Sequence, residues 1–541
     1  MGLNLRWNED RRWNDSFNWL GTSYAEARRG LRTVLVEVDA PGGRRWFSDG
    51  RFAHLDSGLV AEPRIGGEIR FQRRAALAFW GSGRAVYGIG SVELINADRA
   101  LDAWMFTPLR GSIVRVYFGP PDAPIAAMLL VARAVIERVE GVGESAVRLV
   151  LSDAAAELDV PIQTETYTSG PQQGRLLPVT LGQCNSVPAL HTGAPTLRFA
   201  VHDSGAAASL GGLSGISAVY DSGVLLTTGA QWSAASVGQE HGFLLNQATA
   251  GRITALVRGP STELSPFAPG RLHRIVEALL VLRRGWSISR LNFAGLLSLH
   301  FESQALLGRF VDSSLTYSQL LTEIADSLSA WWWIAPDGVF HLARWRVPSG
   351  SPVMTIDSNS IEGEVQPEFD AAPGLADAVL TSRNWHQHAP SELAGSVRDT
   401  DFGAALSRAY RFATLFVVDD EYSSARGGLG TDRLDTRSGS GDVSRPAADA
   451  GMPTLLQSGA NEAAYRATLY SEPRWFWRLT VLLDADAAVT LQPGDVVLLK
   501  VDAFGLEAGQ LLCVADVQGT LGEGRVQLLL WGSRPADKAK E

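Results

Sequence analysis

Cysteine is almost absent: Cys184 and Cys513 are the two in 541 residues, and neither belongs to a CxxC pair. At most one disulfide can form, so disulfide-stapled scaffolds and CxxC-type zinc or redox sites are excluded. Lysine is scarce as well, with Lys500, Lys538 and Lys540 the three among 48 basic residues, a bias of coding composition rather than of chemistry. No apolar run approaches the ~18 residues of a membrane span, and the opening MGLNLRWNEDRRWNDSF is too charged and aromatic for a secretory signal. Positive charge is in deficit, 48 Lys plus Arg against 58 Asp plus Glu for a net charge of −10. The chain as a whole is repelled by phosphate backbones, which disfavours generic nucleic-acid affinity.

The common catalytic signatures are missing too. No GxGxxG follows a strand, no GxxxxGK precedes Ser or Thr, and neither GxSxG nor HExxH occurs. His386 and His388, two apart in RNWHQH, would share one face of a strand, but structural zinc takes four ligands and no third lies near. They read as surface histidines. Asp484 and Asp486 in LLDADAA have the look of a paired-carboxylate motif, yet stand where a strand ends and turn acids are common. Asp419, Asp420 and Glu421 cannot converge on one cation from an extended chain and read as a solvated charge run. No catalytic residue, metal or cofactor is expected.

What is present is the composition of folded protein, 45% hydrophobic, 20% charged and 9% aromatic, at a length that suggests several domains. From Leu31 to Leu151, short runs rich in Val, Ile and aromatics alternate with Gly, Pro and Asp turns, an all-β pattern. Further on, LHRIVEALLVL (Leu272 to Leu282) is apolar at helical spacing. A second helix from Tyr317 to about Ser329 opens on a Thr316/Gln319 capping box, and its stripe of Tyr317, Leu320, Leu321, Ile324 and Leu328 must pack on something. The turn Pro336-Asp337-Gly338 then joins two β-prone runs into a hairpin. Near the C-terminus Trp475, Trp477, Leu479, Val481 and Leu483 alternate with polar residues and lead, through Pro493-Gly494-Asp495, into three more strands. The expected fold is mainly β with a few helices, a β-rich α+β multidomain chain. Its units are an arm (1–30), a first β-domain (31–165), an inserted β-rich domain (170–260) and a helix-hairpin domain (261–422). A Gly/Ser-rich mobile loop (423–458), a small C-terminal β-barrel (459–532) and a frayed tail (533–541) follow.

Sixteen tryptophans need a use: core, interface or sugar stacking. Trp331, Trp332 and Trp333 cannot all face one core from a strand, because successive side chains alternate. At least one is expected to meet another domain or subunit. Trp7, Trp13 and Trp19, six apart, lie with Phe17 in a polar arm that has no core of its own. Leaving such aromatics in water forgoes roughly 1.5–3 kcal/mol each, so the arm is expected to dock, preferentially on a neighbouring chain.

The stretch YSQLLTEIADSLSAWWWIAPDGVFHLARWRVPSG, followed by DAVLTSRNW, resembles the core of tail-tip and baseplate hub proteins of long-tailed, siphovirus-like bacteriophages. The C-terminal LYSEPRWFWRLTVLLDADAAVTLQPGDVVLLKV through RVQLLLWG is similar to their closing barrel, and RLLPVTLGQCNSVPAL, AVYDSGVLL and GRITALVRG to their middle. The likeness covers roughly Leu176 to Gly532. It implies tube-like β-domains with small inserted domains, forming a homotrimer that closes the tail tube. The implied partners are a tail tube or distal tail protein, the tape measure protein, and other baseplate and tail fibre proteins. Phage DNA would pass without specific binding, and the protein would be made in the bacterial host cytoplasm and reside in the virion. Two other functions compete: an adhesin binding host glycan through exposed aromatics, and a cell-wall or surface-glycan hydrolase. The second needs a carboxylate pair across a cleft, which the sequence does not single out.

Overall fold

The computed structural model describes residues 32–50, 52–54, 58–75, 83–121, 123–193, 196–203, 213–237, 240–249, 251–260, 271–303, 307–369, 389–400 and 474–533. Shorter described pieces lie at 18–19, 22–23, 377–382, 403, 410–415, 431–436, 465 and 469. Strands dominate and helices are few, as the turn-punctuated sequence predicts.

The first β block folds into an eight-stranded sheet. Its spatial order is Ser91–Ile95, Ala146–Asp153, Leu129–Val142, Ile113–Gly119, Thr33–Ala40, Gly43–Ser48, Leu59–Pro63 and Phe52–His54. The sheet curls until its ends meet: Ile65 bridges Leu94, Ile95 N donates to Arg64 O at 2.6 Å and Gly66 N to Glu93 O at 3.0 Å. Closure gives the outer strand partners on both sides and leaves no bare edge there. Alternation then sends Val34, Val36, Val38, Val114, Val116 and Phe118 inward.

A second eight-stranded sheet is built largely from the C-terminus, in the order Met354–Asp357, Val496–Lys500, Gln510–Thr520, Arg525–Ser533, Arg474–Leu482 and Ile361–Phe369. The period-2 reading holds: Trp477, Leu479 and Val481 are buried while Arg478 is exposed. Two strands come from the first block. Arg70–Arg74 pairs antiparallel with Gln510–Thr520, and Val86–Ile89 pairs with Arg70–Arg74. After Gly90 the same segment continues as Ser91–Ile95 in the first sheet, so one stretch of chain serves both. A single apolar core runs from Val34 and Leu149 to Leu479 and Leu530. The segments 31–165 and 459–532, expected as two units, both contribute to this core. The C-terminal strands leave one side of Gln510–Thr520 unpaired over Asp516 to Thr520, and the distant Arg70–Arg74 supplies the missing ladder. The exposed outer strand Ile361–Phe369 carries Glu362, Glu364 and Glu368, Pro367 and an irregular register, devices that discourage further pairing.

Between these sheets in sequence lie a five-stranded and a four-stranded sheet around Cys184, Val201, Val219, Phe243 and Val257. The expected boundary at 260 is crossed, because Val179–Pro188 also pairs with Gly308–Val311. The helical part contains Leu272–Glu277, which runs on as a π-helical turn over Ala278–Arg283, then Phe293–Ser303 and Tyr317–Ser327. The capping box is formed: Gln319 N donates to Thr316 Oγ1 at 3.1 Å, and Thr316 N to Gln319 Oε1 at 2.9 Å. The stripe residues of that helix are buried together with Leu296, Leu299 and Trp332. Within the segment read as a mobile loop, Thr431–Thr436 is a strand parallel to Asp377–Ser382. The rest of 423–458 lies outside the described residues, as does the tail beyond Ser533.

Candidate interaction site

The hairpin Ala330–Ile334 and Phe340–Arg344 turns through Gly338, whose φ of +86° suits glycine. It sorts its tryptophans by alternation. Trp332 is fully buried on the helix side, where its Nε1 donates to Thr322 Oγ1 at 3.2 Å and Arg84 lies over its ring. Trp331, 1% exposed, faces the other way, among Ala75, Tyr87, Trp345, Cys513 and Trp531. Trp333 is half-buried and stacked between Tyr87 at 5.3 Å and His341 at 4.9 Å. Trp331 thus meets other parts of this chain, one of the two partners expected for these tryptophans, while Trp332 packs on the helices. Both are consumed within this chain, Trp331 where the two large sheets and the hairpin meet, and neither has surface left for another subunit. Trp333 keeps a partly open face.

Around this junction, charge is buried and bridged. Arg73, 4% exposed, donates to the carbonyls of Val489, Leu491 and Val131, and burial pulls its guanidinium down to about 10. Burial likewise raises the Asp495 carboxyl and pushes the Cys513 thiol up to about 12, which leaves that thiol inert at neutral pH. Tyr87 Oη and Trp331 Nε1 are buried without a hydrogen-bond partner among the described residues. On the inserted sheets, Asp203 receives Arg283 through two hydrogen bonds (2.9 and 2.7 Å) and Gln163 at 2.6 Å. Burial alone would raise that carboxyl; the Arg283 hydrogen bonds and charge outweigh it and hold it below the usual range. This pair pins the inserted sheets to the helical part.

The structure assigns the acidic motif a local role. Asp484 caps the helix Ala485–Thr490 by accepting from Asp486 N at 2.9 Å, and Asp486 pairs with Arg32, Nε to Oδ1 at 2.8 Å. The Arg32 hydrogen bond holds the Asp486 carboxyl below its ordinary range. His386, His388, Asp419, Asp420 and Glu421 lie outside the described residues, as do Trp7, Trp13 and Phe17. Trp19 is described only as part of the ladder Asn18–Trp19 with Thr22–Ser23. No group of three or more His, Cys, Asp or Glu residues suited to a metal occurs among the described residues. No described helix is long and apolar enough to cross a membrane.

The second sheet also forms the floor of an open groove of about 910 Å³, walled by the end of Ala146–Asp153. Its polar floor (Gln72, Gln518 and Gln527) is absent from the sequence-derived candidates. The alternation in Arg70-Phe71-Gln72 was the available signal, but nothing local says that Gln72 lies beside Gln518.

The chain matches no family model, and no curated protein matches its sequence. Among solved structures it is similar to a tail protein from Neisseria meningitidis MC58, at 11% identity and a TM-score of 0.39, over 92% of this chain and 96% of that one. It is also similar to the 43 kDa tail protein of prophage MuSo2 from Shewanella oneidensis, at 9% identity and a TM-score of 0.37, over 93% and 99%. A third is prophage tail protein gp18 from Listeria monocytogenes EGD-e, at 8% identity and a TM-score of 0.39, over 93% and 94%.

Proposed function

We propose that this chain is a structural hub of a bacteriophage tail tip or baseplate, a homotrimer that closes the tail tube and holds tube, tape measure and fibre proteins around the DNA exit channel. The observation that carries the reading is the pair of eight-stranded sheets, the first curled until its ends meet, fused through one core. Three copies, each offering two such units, present six comparable β surfaces, which would reconcile a threefold hub with a sixfold tube. The ordered resemblance from Leu176 to Gly532 points the same way. DNA passes without grip in this reading, since a basic wall would retard every phosphate, and the net charge of −10 agrees. Light scattering of the purified protein and imaging of assembled tails test the proposal. A trimer located at the tail tip is expected; a stable monomer that never enters tails overturns it.

A further inference from the structure

The outer face of the first sheet carries one unanswered charge. Register puts Trp46, Glu37, Arg115 and Arg133 in a single row across four neighbouring strands. Glu37 answers Arg115, accepting from its Nη1 at 3.0 Å, and Asp39 accepts from the same nitrogen at 3.3 Å. Arg133 stands directly opposite Arg115, a like-charge pairing that sheets disfavour. The Arg133 side chain is half-buried, yet among the described residues its guanidinium has no hydrogen bond and no ion pair. Burial pulls its pKa below the ordinary value; Glu157 opposes this, Arg290 and Arg115 add to it, and Asp39 opposes it.

The tryptophan hairpin closes over the end of this row. A Cβ at Gly338 would collide with Arg133 Nη1 and come within 3.9 Å of Arg290 Nε, so two guanidiniums converge on this glycine. Arg290 is held in place: its Nε donates to Gly338 O at 3.1 Å, its Nη2 donates to Glu157, and its guanidinium lies 3.6 Å from the centre of the Trp286 ring. The nearby carboxylates are already engaged, Glu157 by Arg290 and Glu37 and Asp39 by Arg44 and Arg115. Asp337, in the turn, accepts from Val339 N at 3.0 Å and pairs with none of these cations. Four arginines, at 44, 115, 133 and 290, thus share three carboxylates, and Arg133 is the one left over. A carboxylate fits the vacancy in charge, because it brings one negative charge and two acceptor oxygens to the guanidinium fork. A nucleic acid would press further phosphates against Glu157, Asp39 and Asp337.

We propose that Arg133, with Arg290 held beside it, is a docking point for a carboxylate of a second copy of this chain. The chain itself is rich in the group this point lacks, since 58 acidic against 48 basic side chains leave a surplus of ten carboxylates on every copy. Repulsion between the net charges of two copies is screened beyond roughly 8 Å at physiological ionic strength, so the local match decides the contact. The proposal rests on the tail-hub reading in taking the partner to be a copy, but not on how many copies assemble.

Both arms of the test use the full chain. Arg133→Met keeps the length of the side chain and removes its charge, and light scattering over a dilution series is expected to show self-association weakened at least about tenfold. Equal association of the two chains overturns the proposal and leaves the hub reading standing. Association that depends on Arg133 but involves a number of copies other than three supports the proposal and overturns the trimer, and a native chain that stays monomeric overturns both. The second arm keeps the positive charge, and with it the fold, by Arg133→Lys in a mixture of unlabelled and nitrogen-15-labelled chains. Carbodiimide is expected to join the introduced amine to an Asp or Glu of the other isotope, read by mass spectrometry against a low background, since the chain has three lysines of its own. No link at position 133, or a link within one chain alone, overturns the proposal. Binding of a labelled duplex oligonucleotide that is lost in Arg133→Met would assign the point to nucleic acid and overturn it as well.

Discussion

On the strand Ala330–Ile334, three side chains of one type meet three environments. Trp332 fills the helix-side core with its N–H satisfied, Trp331 fills the sheet junction with its N–H unsatisfied, and Trp333 lies half-open between two rings. Truncating a buried Trp removes transfer energy and leaves a cavity. Trp332→Ala should cost about 3–5 kcal/mol, and Trp333→Ala clearly less, because part of its surface is already wet. Chemical denaturation midpoints of the two variants against the native chain check this; equal losses would mean that Trp333 is as structural as its neighbour. The sequence announced that the three could not share a core, since alternation is local. It could not announce that Trp331 would be used up inside the chain, because its partners Tyr87 and Trp531 lie hundreds of positions away.

At the scale of elements, local signals were readable and long-range pairings were not. The Thr316/Gln319 box, the Pro336-Asp337-Gly338 turn and the alternation after Arg474 involve residues within a few positions of one another, so their physics is written in adjacent letters. Arg73, by contrast, looks like any surface arginine in FQRR until the helix ending at Thr490 delivers its carbonyls. The helical part also hides a pH response. His273 and His300 are buried with ring centroids 5.1 Å apart, and His202 is buried beside Asp203. Burial lowers all three to about 4. His300, Arg274 and Arg271 add repulsion at His273, as does Arg271 at His300; at His202, Asp203 favours protonation while Arg283 and His241 oppose it. The folded chain thus stays neutral at these sites while the unfolded chain takes up protons below the ordinary value of ~6.5. Their stability contribution is whole above that pH and is lost as pH falls from about 6.5 to 4. Thermal unfolding across this window should show the loss, and His300→Phe should make it smaller; a flat profile would remove these histidines from the account.

For the whole molecule, the decisive feature is that the two large sheets share a core and that the first block gives two of its strands to the second sheet. Residues 474–533 expressed alone should not fold cooperatively, because half of the Gln510–Thr520 ladder then lacks its Arg70–Arg74 neighbour and Leu479 and Leu530 lose their apolar roof. Broad amide spectra and weak exchange protection are the expected result, and a sharp, protected fragment would contradict it. The strand Arg70–Arg74, early in the chain and paired with its end, also sets a schedule on the ribosome. Gln72 and Asp516 are 444 positions apart, and at ~5–20 residues per second the early strand waits roughly 20–90 s for its mate. During that interval it is an unclaimed edge in a crowded cell, and the arginines at 70, 73 and 74 are the charges that keep neighbouring nascent chains from pairing with it first.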